Sequence, residues 1–130
     1  MKSLKNKNMV LAVLLTIFTT ILIAMAQVLW KIGLEKIGGF YINTQTVFQN
    51  IIRIGFSLYI LSGLVMYVIA TVVFLFLLNQ YPISLVVPLS SISFIFTMIA
   101  GIIIFKEQVN YINWIGAAII LIGVFLITKK

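Results

Sequence analysis

From Met9 to Trp30 the chain carries no charged residue, and three further runs of the same kind follow at about Phe56–Leu78, Ser84–Phe105 and Tyr111–Thr128. This repetition limits the fold more than any other feature. A helix crossing the hydrocarbon core needs about 20 apolar residues. In lipid every backbone N–H and C=O must be paired within the segment, so such runs become helices rather than strands. The sequence therefore predicts an all-α membrane protein. It is one four-transmembrane-helix bundle over residues 1–130, with spans at about 9–31, 56–78, 84–105 and 111–128. Its 63% hydrophobic and 8% charged residues leave no room for a second, soluble domain. The first run follows a basic tail with Lys2, Lys5 and Lys7. It is too long for a signal-peptide core and lacks a small-residue cleavage site, so it reads as a retained span closing at Lys31.

The same scarcity of polar groups excludes several chemistries. The chain has no cysteine and no histidine, and its two acidic residues, Glu35 and Glu107, lie in different connections. A zinc site, a thiolate nucleophile and a carboxylate dyad all lack their parts. The expectation is a non-enzyme without metal or cofactor. The net charge of +7 sits mostly at the ends of the apolar runs, which points to membrane headgroups rather than nucleic acid.

The connections give the topology. Residues 32–55 form the longest one, broken by Gly38-Gly39, with Tyr41 at the interface level. Beyond Thr46, Val47, Phe48, Ile51, Ile52 and Ile54 recur at helical spacing against Gln49, Asn50 and Arg53. This is a short amphipathic helix on the membrane surface, or a first turn of span two hinged at Gly55. Tight turns at residues 79–82 and 106–110 make spans two, three and four antiparallel neighbours. Lys2, Lys5, Lys7, Lys129 and Lys130 on one side outweigh Lys36, Arg53 and Lys106 on the other. The positive-inside rule then places both termini in the cytoplasm, in a multi-pass protein of the cytoplasmic (inner) membrane.

No ionisable residue interrupts spans two, three or four, so cation antiport through a buried carboxylate is disfavoured. Span one instead carries Thr16, Thr20, Gln27 and Lys31 at spacings that share one helical face. Either Gln27 bonds a neighbouring helix and Lys31 reaches to headgroups, or the stripe lines a cavity. In the second case Gln27 takes a polar head and Lys31 an anion such as phosphate. In span three Pro88 frees the carbonyl of Ser84. Ser84, Pro88 and Ser91 share one face, and Ser90, Phe94, Thr97 and Gly101 share another. These mark a kinked helix packed through small residues, or a hydroxyl face turned to a cavity. In span four Gly116 and Gly123 lie two turns apart beside Ile120, a seam for a neighbouring helix within the chain or in a second subunit.

Taken in order, several elements resemble the EamA-type half-repeat of the drug/metabolite transporter superfamily. They are Pro82 and Ser84, Pro88-Leu89, Phe105-Lys106-Glu107, and Trp114 with Gly116 and Gly123, and span one adds Ala26-Gln27 and Lys31. The resemblance covers nearly all of the chain except the connection 32–55. The small multidrug-resistance branch is similar in plan, but Ile23 stands where its signature glutamate would be. The chain is more similar to the small subunits that flip undecaprenyl-phosphate-linked aminoarabinose across the bacterial inner membrane, through Gln27, Lys31, Pro82, Pro88 and Ser91. That resemblance implies a flippase for a polyprenyl-phosphate-linked sugar or similar anionic lipid carrier. The sugar need not be aminoarabinose. Thr20, Gln27, Lys31, Ser84, Pro88 and Ser91 would contact the substrate. Gly116, Ile120 and Gly123 would form the interface of a homodimer, or of a heterodimer with a related small subunit. The family also implies an alternative, export of small polar metabolites. A non-transporting membrane subunit that stabilises a partner is the other reading.

Overall fold

The computed structural model describes residues 2–39 and 46–129, with side chains from Met9 onward. Tyr41 and Lys130, and the side chains of Lys2, Lys5 and Lys7, lie outside the described residues. The described residues form helices α1 (Lys2–Lys36), α2 (Val47–Gly55), α3 (Leu58–Gln80), α4 (Ile83–Ser90), α5 (Ser93–Phe105) and α6 (Tyr111–Thr128), with no strand. Among them are four segments long and apolar enough to cross a membrane: Met9–Lys36, Leu58–Gln80, Ile83–Phe105 and Tyr111–Thr128.

Helix α1 is the hub, packing on α3, on α4 and on α5. Its seam with α3 is built from small residues. Ala12, Thr19 and Ala26 are buried, and Gly33 continues the same seven-residue step. On α3 the buried residues Gly63, Ala70 and Leu77 repeat at the same interval. Two strict heptads keep facing each other along a long crossing. Lipid gives helices no hydrophobic reason to associate, so close backbone approach and dense contact hold this pair. The buried threonines behave as small residues with their polarity satisfied. Thr16 donates to the Ala12 carbonyl, Thr19 to Leu15 and Thr20 to Ile17, each at 2.8 Å. The seam ends in a lock: the Trp30 indole N–H donates to the Ile60 carbonyl at 3.2 Å, and its ring centroid lies 5.3 Å from that of Tyr67.

Two glycines stop α1. Gly38 and Gly39 adopt positive φ of 84° and 87°. The Gly39 N–H reaches back to the Leu34 carbonyl at 2.8 Å and the Gly38 N–H to Glu35 at 3.2 Å, which is the Schellman closure. Helix α2 is separate from span two and buries none of its residues. Phe48 and Ile51 on its apolar side are exposed, which suits a helix lying in the headgroup boundary. The break before α3 falls at Ser57, whose ψ of 116° is extended, rather than at Gly55.

Span three is interrupted past its proline. Pro88 lies inside α4, and the chain tightens at residues 91 and 92. There the N–H of Ser91 bonds Pro88 at 3.1 Å and that of Ile92 bonds Leu89 at 3.2 Å, a three-residue repeat. Val86 and Leu89 hold α4 in the buried core. Helix α6 rests chiefly on α4 and buries no residue.

Candidate substrate recess

On α1, Gln27 and Lys31 stand one turn apart and so project from the same side of the helix. On α5, Thr97, Gly101 and Phe105 do the same. These sides face each other across a recess of about 170 Å³, lined also by Val28 and Glu107. A lining of amide, ammonium, hydroxyl and carboxylate is unusual in a chain this apolar.

Glu107 arrives there through a chain reversal. Lys106 takes the left-handed conformation at φ 54° and caps α5, its N–H bonding the Gly101 carbonyl. The Glu107 N–H reaches the same carbonyl at 3.2 Å. The carboxylate thereby folds back over the last turn of α5, where Gly101 offers a bare Cα. A Cβ at that position would come within 2.7 Å of Glu107 Oε2. From there Glu107 Oε1 accepts from Lys31 Nζ, an ion pair between span one and the connection after span three. The Lys31 ammonium also lies 4.3 Å from the Phe105 ring centroid, a cation–π contact. The side chains of Lys31 and Glu107 keep 44% and 46% of their exposure, so both charges remain reachable from the recess. The Gln27 side chain has no hydrogen-bond partner among the described residues.

A second hollow of about 330 Å³ lies between the same two helices. Its lining is apolar: Ile21, Ala24, Met25, Val28, Leu29, Phe96, Ala100 and Ile104. The two hollows meet at Val28, which lines both. One side of the α1–α5 contact thus offers polar groups and the other offers hydrocarbon. Near this end of α1, Lys36 donates to the Tyr59 hydroxyl at 2.6 Å and lies 4.1 Å from that ring. Such amphipathic side chains mark the interface level of a membrane.

The residues singled out in sequence fall in four places. Gln27 and Lys31 share the recess. Thr20 shares their helical face but is buried, its hydroxyl bonded within α1. Ser84, Pro88 and Ser91 lie on the other half of span three. At 1.5 Å per residue, Ser84 stands about 25 Å from Gly101 along the axis. Of the two hydroxyl faces in span three, the one carrying Thr97 and Gly101 lines the recess. Thr97 itself donates to its own helix, at Ser93 and Phe94. On α6, a Cβ at Gly116 or Gly123 would meet nothing within 4 Å, although Gly116, Ile120 and Gly123 lie on the half-buried side of the helix. In the sequence Glu107 stood out only as one of two acidic residues and as part of Phe105-Lys106-Glu107, not as a site residue, because nothing in a turn of Lys106-Glu107-Gln108 says that it folds back on a glycine.

Comparison with known proteins places this architecture. The EamA-like transporter family matches residues 39–129. A Proteus mirabilis protein named "Probable 4-amino-4-deoxy-L-arabinose-phosphoundecaprenol flippase subunit ArnF" is 31% identical over 121 residues, covering 88% of this chain and 89% of that one. An Aeromonas salmonicida protein named as the corresponding subunit ArnE is 32% identical over 72 residues, 55% of this chain and 63% of that one. A Proteus mirabilis ArnE is 39% identical over 54 residues, 42% of this chain and 48% of that one. No solved structure matches. With the matched segment running from the first connection through α6, and similarity to one flippase subunit along nearly the whole length, this multi-pass membrane chain belongs to the EamA-like transporter family.

Proposed function

We propose that the chain is a subunit of a flippase that moves a sugar-bearing polyprenyl phosphate across the cytoplasmic membrane, with both termini in the cytoplasm. One observation carries the reading: a polar recess holding Gln27, Lys31 and Glu107 adjoins an apolar hollow at Val28. A carrier lipid has the same division, a head that needs hydrogen bonds and charge and a tail that needs hydrocarbon. Gln27 supplies an amide free to bond hydroxyls, and Lys31 supplies a cation for the phosphate. That attraction is stronger beside lipid than at a wet surface, because the local dielectric is low. The similarity to proteins named as flippase subunits for an aminoarabinose-bearing carrier supports the same substrate type. Ser84, Pro88 and Ser91 lie further along span three, and Thr20 further along span one. The span-three residues would serve the head only as it moves toward the opposite leaflet, whereas Thr20 is buried with its hydroxyl bonded within α1.

The stripe of Gly116, Ile120 and Gly123 on α6, where a Cβ at either glycine would meet nothing within 4 Å, is the proposed seam with a second copy or a related small subunit. A pathway closed between two chains would give the head a route that four helices do not enclose alone. The test is flipping of a labelled polyprenyl-phosphate sugar in vesicles containing the protein, alone and with its co-purified partner. Lys31→Ala and Gln27→Ala proteins that insert and assemble normally should lose most of the rate. Wild-type rates in both would refute the recess as the head-group site. Movement of water-soluble metabolites with no effect on the lipid would favour the exporter reading instead.

A further inference from the structure

Lys31 does not wait in the recess as a free cation. It is already paired with Glu107, and a phosphate that takes it comes up beside that carboxylate. The carboxylate would then face an incoming anion in a site bordered by hydrocarbon, where an uncompensated charge is costly. A head group carrying only a phosphate thus meets a penalty at the residue beside its binding group. A head group that also carries an ammonium does not, because it returns a partner to each member of the pair.

We infer that Glu107 is a specificity-determining residue: it exchanges Lys31 for the ammonium of an amino-sugar phosphate lipid, and so selects a zwitterionic head over an anionic one. This rests on the reading of the recess as a head-group site. Three features of the site support the exchange. Both charges are near half-exposed toward the recess, so a ligand can reach them. The carboxylate rests on the bare Cα of Gly101 at the end of a side chain whose backbone lies outside α5, so it can swing without moving a helix. The Phe105 ring keeps a second contact to the Lys31 ammonium while the carboxylate is away.

The experiment compares two lipids on the full chain in lipid nanodiscs. One is a polyprenyl phosphate bearing an aminopentose. The other carries a hydroxyl in place of the amine and is otherwise the same, so size is constant and only charge differs. The wild-type protein should bind the amine lipid about tenfold more tightly. Glu107→Gln should erase or reverse that preference, since it leaves Lys31 without a counter-ion and favours the anionic lipid. Glu107→Asp keeps the charge with a shorter reach and should retain the preference at weaker affinity. It also serves if the glutamine variant fails to insert. Equal binding of both lipids by the wild type, or an unchanged ratio in Glu107→Gln, would overturn the selective role and leave Glu107 as a tie between span one and its neighbour. Failure of the wild type to bind either lipid would overturn the head-group reading itself.

Discussion

Gly63 makes the space that Trp30 fills. A Cβ at position 63 would lie 2.7 Å from both Cδ1 and Nε1 of the indole and 2.9 Å from the Ala26 carbonyl oxygen. The backbone of α3 is therefore pressed onto α1 where the seam turns from alanine-sized residues to an aromatic ring. Replacing Gly63 with leucine should force the two helices apart and cost about 1–3 kcal/mol, as overpacking does in well-filled cores. Thermal unfolding in detergent, followed by Trp30 fluorescence in a Trp114→Phe background, reads this directly. An unchanged midpoint would show that the seam is looser than described.

Thr20 and Gln27 lie on one face of α1 but should respond differently to loss of polarity. The Thr20 hydroxyl is bonded within its own helix, so Thr20→Val removes nothing that a substrate touches. Flipping should stay within about twofold of wild type, well under the tenfold that 1.4 kcal/mol would produce. Gln27→Leu fills the recess with hydrocarbon and should abolish most of the rate. Equal losses in the two variants would restore the whole stripe as a pathway.

Gly101→Ala keeps both charges and alters only where Glu107 can rest. The added Cβ meets the far end of a flexible side chain, so the fold should survive while the ion pair loosens. A double-mutant cycle between Lys31→Ala and Glu107→Gln should give a coupling of about 0.2–1 kcal/mol in the parent chain. The same cycle built on Gly101→Ala should give a value near zero. A coupling that persists would mean the carboxylate reaches Lys31 by another route.

Gly116→Phe and Gly123→Phe should leave the single chain folded, because a Cβ at either position would meet nothing within 4 Å. If α6 is the seam between subunits, the same changes should disrupt association. Mass measurement in detergent, with monomer stability read in parallel, separates the two effects. An intact assembly in both variants places the seam on another helix.

The spans were legible in sequence because membrane length and lack of charge are local properties. The stop of α1 was legible for a similar reason, since paired glycines permit the positive φ that the closure needs. The recess was legible only in half. Helical spacing put Thr16, Thr20, Gln27 and Lys31 on one face, but which helix covers a face is a tertiary fact. Thr16 and Thr20 are buried in the bundle, whereas Gln27 and Lys31 face α5 across an opening. The seven-residue repeat of Ala12, Thr19, Ala26 and Gly33 was equally hidden, since alanine and threonine are common in any membrane span. The Lys31–Glu107 pair depends on a lysine in the left-handed region at position 106, a conformation that residue type does not announce. In span three Pro88 signalled a break, yet the tight turn falls at Ser91 and Ile92, where i→i−3 hydrogen bonds tighten the chain.

The lopsided contacts of α6 bear on how the molecule is made. During synthesis α1, α3, α4 and α5 all leave the ribosome before it, and the contacts that define the bundle lie among those four. At roughly 5–20 residues per second, the 18 residues of α6 occupy about one to four seconds after the rest has been produced. The contacts among α1, α3, α4 and α5 can therefore form without it, and α6 adds its contact with α4 to a bundle already defined.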